Sequence, residues 1–295
     1  MTASMRAAAP PQQLTLHCRG RRLAAQAWGD PASPRTVLAL HGWLDNANSF
    51  VPLAPYLTDT YLVAVDLPGH GLSQHRSADA QYHFIDWVGD VLDVADTLNL
   101  PRFALMGHSM GAGVATLVAG AYPERVSALL LLDGLGPLSR EAESAPQRLS
   151  AHRLQMARLV ARQSPVYPNV ATLAAVLCKV VPQLSLKSAH VLLQRGAEQV
   201  FEGATCVGVR SVSDPRLRAT SLFQLTEAQV QAFLQAIACP TVLLRPHDGY
   251  PFAPDLFDRR LACIAHAHCV RLSGGHHVHM EQPDEVAALL RPFLV

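Results

Sequence analysis

The chain has 295 residues, 49% of them hydrophobic and 16% charged, with 24 Lys and Arg against 23 Asp and Glu, for a formal net charge of +1 at pH 7. That is enough apolar material for a sizeable core, and the charge balance excludes a basic nucleic-acid face and an attraction to anionic membrane. Lysine occurs only at Lys179 and Lys187, the arginine bias of a GC-rich, bacterial genome, and the six scattered cysteines form no Cys-x-x-Cys pair, as expected of a reduced, cytoplasmic protein.

MTASMRAAAPPQQ (1–13) lacks the apolar stretch of a signal peptide. LTLHC (14–18) and LAAQAW (23–28), with turn residues between them, predict an opening hairpin. TVLALHG (36–42) is a continuous apolar run, the pattern of a strand buried on both faces. It ends in His41-Gly42, which places the backbone N–H of Trp43 to donate to an oxyanion. Asp45, Asn46 and Asn48 behind it are expected to be helix caps. YLVAVD (61–66) repeats the buried-strand pattern, and DLPGHGLS (66–73) reads as a structural loop, not a catalytic site for Asp66 or His70. Phe84, Ile85, Val88, Val91, Leu92, Ala95 and Leu98 make a helical stripe that stops before Pro101.

The next junction carries chemistry. FALMGHS (103–109) runs into MGAGVATLVAGAY (110–122), a strand followed by a helix, with Ser109 at the joint inside Gly-x-Ser-x-Gly. So sharp a turn projects the serine hydroxyl above the sheet edge and brings the Met110 N–H to a helix N-terminus, facing any developing negative charge. Ser109 is the candidate nucleophile, with Met110 and Trp43 as oxyanion donors. ALLLLD (128–133) is a further strand and the longest strongly apolar run, far too short to cross a bilayer.

Between Gly134 and about Ser221 the strand signal disappears. The stretches 147–163, 169–181 and 186–201 all read as helices, which predicts a helical cap (135–221) inserted into a core made of 1–134 and 222–295. Strands resume at TVLLRP (241–246) and CVRLSGG (269–275). Alternation of strand and helix implies a mainly parallel sheet with helices on both faces and ligands at the carboxyl ends of the strands.

A serine hydroxyl needs a base, and GGHHVHMEQP (274–283) offers His276, His277 and His279. His276 follows two glycines that let its backbone approach closely and is the candidate base. No histidine set, including His247, His266 and His268, shows a recognisable ligand spacing, so neither metal nor organic cofactor is expected. The base needs a carboxylate to set its tautomer. Asp248 and Asp133 each follow a strand at the carboxyl edge, and spacing alone does not choose between them.

HGWLDN, DLPGHGLS, GHSMGAG and GGHHVHMEQP, in this order, resemble the α/β-hydrolase fold family from about Leu14 to the C-terminus. HGWLDNANSF and SDPRLRATS (213–221) resemble its serine hydrolase-like, or Kraken-type, subgroup. The resemblance implies an eight-stranded sheet with a cap after the sixth strand. It carries the nucleophile to Ser109, the base to His276 and the oxyanion donors to Trp43 and Met110. It favours Asp248, twenty-eight residues before His276, as the acid, although RPHDG lacks the usual Gly-x-x-Asp. Relatives such as haloalkane dehalogenases place the acid twenty-four residues after the nucleophile, which here is Asp133.

These readings together predict a serine hydrolase, a carboxylesterase for a small or medium apolar acyl substrate, monomeric or homodimeric. Leu173, Val176, Leu177, Leu192 and Phe201 of the cap would line the substrate pocket or pack on one another. The alternatives are a thioesterase, a carbon–carbon bond hydrolase, or a receptor-like binding protein with slow turnover.

Overall fold

The computed structural model describes residues 10–161 and 164–294. The first nine residues, and the last two of the predicted 147–163 helix, lie outside that range. The chain opens with the strands β1 (Gln12–Cys18), β2 (Arg21–Trp28), β3 (Thr36–Leu40) and β4 (Tyr61–Val65). Helix α1 (Asp86–Thr97), β5 (Phe103–His108), α2 (Met110–Ala121) and β6 (Val126–Leu132) follow. The eight-stranded sheet is completed by two further strands later in the chain.

Between β6 and that return, the chain forms helices α3 (Ala145–Ala161), α4 (Val170–Val180) and α5 (Leu186–Gly196) and a hairpin of β7 (Ala197–Glu202) with β8 (Thr205–Ser211). Helix α6 (Glu227–Gln235) then leads into β9 (Thr241–Asp248), α7 (Pro254–Ala262), β10 (Ala267–Gly275), the one-turn α8 (Val278–Glu281) and α9 (Pro283–Leu290). Strand order in the large sheet is β1-β2-β4-β3-β5-β6-β9-β10, antiparallel at the β1–β2 and β2–β4 pairs and parallel elsewhere. No described helix is long and apolar enough to cross a membrane.

The continuous apolar runs are strands covered on both sides, with alternate residues serving opposite faces. Leu38, Leu40, Val63, Val65, Leu105, Leu129 and Leu131 pack with α1 and α2 residues such as Val91, Val94, Val114 and Val118. Their neighbours Val37, Ala39, Leu62, Ala64, Met106, Leu130 and Leu132 pack under Phe50, Leu53 and the α9 residues Val286, Ala287 and Leu290.

Two expectations need correction. The inserted segment is not all helical: 186–201 is helix only to Gly196, and the rest enters the β7–β8 hairpin. β7 buries none of its residues fully, so it lacks the apolar run by which the sheet strands betray themselves. The buried face of α1 is also rotated from the predicted stripe. Ile85 is exposed, and Asp90 is buried between Arg21 and Arg76, whose guanidinium nitrogens lie 2.5 and 2.6 Å from its oxygens.

The inserted segment has a small core of its own, in which Leu173, Leu192, Leu193 and Val209 meet Met280 of α8, with Leu177 at its margin. Phe201 is 55% exposed. Polar ties fasten this segment to the sheet. Asn46 and Asn48 donate to the α5 carbonyls of Leu192 (3.0 Å) and Val191 (2.6 Å). Arg195 of α5 forms a buried ion pair with Asp66 (2.7 Å) and donates to Gln13 (2.7 Å). In SDPRLRATS, Asp214 pairs with Arg216 and accepts from the Tyr82 hydroxyl (2.9 Å).

Removing one member of a buried ion pair strands the other and costs about 3–5 kcal/mol. Arg195→Met is therefore expected to lower Tm by roughly 5–8 °C. A thermal melt within a degree of wild type would mean that the pair does not hold the segment down.

Candidate active site

β5 delivers Ser109 to the carboxyl rim of the sheet between β3 and β6, and α2 begins one residue later. Ser109 holds φ 51° and ψ −112°, outside the ordinary regions for a residue with a side chain. The flanking glycines let the turn close. A Cβ on Gly107 would strike Gly111 and Ala112 backbone atoms, and one on Gly111 would strike the Leu40 and His41 carbonyls at the end of β3.

Backbone strain of this kind costs about 1–3 kcal/mol. It is held by hydrogen bonds from Ser109 N–H to Leu132 O (3.0 Å) and from the Ala112 and Gly113 N–H groups to Ser109 O (3.0 and 3.2 Å). A serine at a helix N-cap ordinarily turns its hydroxyl back onto the helix N–H groups. Ser109 sits at that position and makes no such bond, which leaves its half-buried hydroxyl free for other work.

Met110 is the first residue of α2, so its N–H has no acceptor inside the helix. The close approach of Gly111 to Leu40 and His41 brings the Trp43 peptide to the same strand end. His41 fixes this turn as a neutral imidazole: burial lowers its pKa, Nδ1–H donates to Gly42 O (2.7 Å) and Nε2 accepts from Leu67 N–H (3.1 Å). The Trp43 indole donates to Leu217 O of the inserted segment (3.2 Å).

His276 follows β10, and its Nδ1 lies 2.5 Å from Oδ2 of Asp133. Asp133, and not the expected Asp248, is the carboxylate that meets His276. Asp133 directly follows β6 with φ 47° and is buried, and its Oδ2 also accepts from Tyr250 N–H (2.6 Å). Any side chain at position 249 would collide with that carboxylate. The HDGY turn thus presents Gly249 and the Tyr250 peptide to this point, while Asp248 is exposed and paired in register with Gly275. Both strands end at one rim, so sequence position could not distinguish a carboxylate that reaches the imidazole from a turn that cradles it.

The other residues of the motifs separate. Asn46 caps the 3-10 turn Ala47–Phe50 as expected, but Asp45 does not act as a cap. Its Oδ2 lies 3.0 Å from His277 Nε2 and 3.5 Å from His108 Nδ1. His108 Nε2–H donates to the His276 carbonyl (2.9 Å), and its ring centroid is 4.7, 4.7 and 4.3 Å from those of His276, His277 and His279. His279 Nε2 meets Ser49 Oγ at 2.7 Å, but both are fully buried and Asp45 bonds His277 instead, so this second serine–histidine contact offers no path to a substrate.

Burial opposes the charge on His277, and the Asp45 carboxylate beside it outweighs burial and raises its pKa. Burial alone would raise the Asp45 carboxyl, but His277 beside it holds it well below the usual range. Burial pushes His108 down to about 4 and His70 to about 3, and drives His279 well below an ordinary imidazole. The sequence held a sign of this cluster in GHHVHM, but its partners Asp45, Ser49 and His108 are too remote along the chain to be read from spacing.

His70 and His108 fold neutral, so the unfolded chain takes up protons that the folded one refuses once pH drops below 6.5. Their stabilisation is complete above that value and is lost on the way down to about 4 for His108 and about 3 for His70, at up to roughly 1.4 kcal/mol per pH unit for each group. Tm is therefore expected to fall as pH drops below about 6.5, with a shallower fall in His70→Gln. A Tm that stayed level down to pH 4.5 would contradict the neutral burial.

Residues 35–166 match the α/β hydrolase fold family. The chain is 34% identical over 296 residues to a serine hydrolase-like protein of Dictyostelium discoideum, covering 96% of this chain and 81% of that one. The crystal structure of a hypothetical protein from Pseudomonas aeruginosa is similar with a TM-score of 0.87 and 36% identity, covering 97% of this chain and 98% of that one. The thioesterase domain from the curacin biosynthetic pathway is similar with a TM-score of 0.85 and 27% identity, covering 96% of this chain and 100% of that one.

Proposed function

The chain belongs to the serine hydrolase-like proteins of the α/β-hydrolase fold, and from that premise we propose that it hydrolyses an acyl ester through Ser109, His276 and Asp133. The observation that carries this reading is the 2.5 Å contact of His276 Nδ1 with the buried Asp133, on the strand next to the one that presents a non-capping serine. With Nδ1–H donated to Asp133, Nε2 is the free lone pair, the tautomer a general base requires.

In the proposed cycle, His276 takes the Ser109 proton as the serine oxygen attacks the carbonyl. The Met110 and Trp43 N–H groups hold the oxyanion. His276 returns the proton to the leaving alcohol, and water then releases the acyl group by the same steps in reverse roles. Residues 135–221 serve as a cap in this reading. A groove of about 610 Å³ lies beside α3, lined by Gln81, His152 and Arg153 as well as Leu149, Leu154 and Leu222; no triad or oxyanion residue is among its lining. Helix α3 packs on the 215–218 turn, to which the Trp43 indole is bonded.

A thioester is the second reading, favoured by the similarity to a thioesterase domain. The same residues would serve it, with less need to protonate the leaving thiolate. The reading is tested by assaying p-nitrophenyl esters and acyl thioesters of short and medium chain beside labelling by a fluorophosphonate probe. Turnover of either class with labelling at Ser109 is expected; no turnover and no labelling, with apolar ligands still bound, would make the protein a binding module instead.

A further inference from the structure

We propose that Asp45, His108 and His277 form a binding site for a divalent transition-metal ion of the zinc type, directly behind the candidate active site. Oδ2 of Asp45 lies 3.0 Å from His277 Nε2 and 3.5 Å from His108 Nδ1, and the three donor atoms fall within 4.8 Å of one another. Zinc bonds of about 2.0–2.1 Å in a tetrahedron place neighbouring donors about 3.3 Å apart, so small shifts suffice to close the three around an ion. Two imidazoles and a carboxylate are an ordinary donor set for zinc and its neighbours, and three protein ligands leave a fourth position for water.

The hydrogen bonds around His108 call for a cation. Its Nε2 faces the His276 carbonyl at 2.9 Å, and a carbonyl can only accept, so Nε2 carries the proton. In the neutral ring the Nδ1 lone pair then points at an Asp45 oxygen. This Nδ1 is fully buried and has no hydrogen-bond partner among the described residues. Two acceptors facing each other across 3.5 Å repel unless positive charge lies between them. The Nε2–H bond to a backbone carbonyl is also the outer-shell contact that ordinarily orients a metal-bound histidine.

Space and access fit. A methyl group on Gly42 would sit 2.9 Å from both Asp45 Oδ2 and His108 Nδ1, so the glycine leaves room beside the donor pair, and the Asp45 side chain keeps 11% of its surface open. Binding is a balanced exchange. The ion replaces the proton that His277 Nε2 shares with Asp45, one proton is released, and His277 binds through Nε2 with its remaining proton on Nδ1. Affinity therefore rises with pH. The site uses the chain neighbours of Ser109 and His276 but not their side chains, so it stands or falls apart from the hydrolytic reading.

Metal-stripped full-length protein titrated with Zn²⁺ by calorimetry is expected to bind one ion, more tightly at pH 7.5 than at 6. Asp45→Asn and His277→Gln are each expected to weaken binding by about tenfold or more. Unchanged binding in both variants, or none in the wild type at millimolar Zn²⁺, overturns the site. Should the variants fail to fold, Co²⁺ added to the wild type decides: strong visible bands of a four-coordinate ion support the proposal, and the weak spectrum of a six-coordinate surface ion refutes it.

Discussion

Ser109→Ala is expected to lower kcat for any ester the wild-type protein hydrolyses by about 10⁴–10⁶-fold, leaving only what the oxyanion donors and binding supply. KM should change little, because the hydroxyl acts on the reacting carbonyl and not on the rest of the substrate. The same variant should melt close to the wild type. A capping serine would cost about 1 kcal/mol on replacement, but Ser109 makes no cap bond and alanine inherits the same backbone conformation. Steady-state kinetics and a thermal melt on one preparation thus separate lost chemistry from a lost fold. Activity within tenfold of wild type would remove Ser109 from the reaction.

Asp133→Asn is expected to cost about 10⁴ in kcat, against less than about twofold for the exposed Asp248→Asn, since surface changes away from special contacts have small effects. Oδ2 of Asp133 accepts from both Tyr250 N–H and His276. An asparagine that keeps oxygen at that position satisfies both donors but removes the charge that stabilises the imidazolium. One that flips to present its amide forces His276 into the tautomer with a proton on Nε2, aimed at the serine. Either outcome disables the base. If Asp248→Asn proved the more damaging change, the acid role would return to it.

The inner strands β3 to β6 were legible because each is an apolar run buried on both faces, while the mostly exposed β1 was legible from the turn residues that join it to β2. Ser109 was legible because two glycines at that spacing answer a steric demand that can be stated without coordinates. Which aspartate meets His276 was not: β6 and β9 are neighbours ending at one rim, and the choice depends on the direction of a side chain after a turn. The β7–β8 hairpin escaped because its exposed strands carry no apolar run, and the buried side of α1 because part of it is the ionic Asp90 with Arg21 and Arg76. The link from Asp45 to His277 spans most of the chain, and a carboxylate next to two asparagines looks like any helix start.

The ties between the inserted segment and the sheet are distributed unevenly. Helix α5 is bolted down by Asn46, Asn48 and the Arg195–Asp66 pair, all on the loops that hold the oxyanion turn. Helix α3 is held mainly by Arg148, His152 and Gln155 to residues 220–224 of its own vicinity, with Gln81 the outside contact. The proposed cap is thus tied to the sheet chiefly at α5, and substitutions in α3 are expected to change substrate entry while the reacting groups keep their footing.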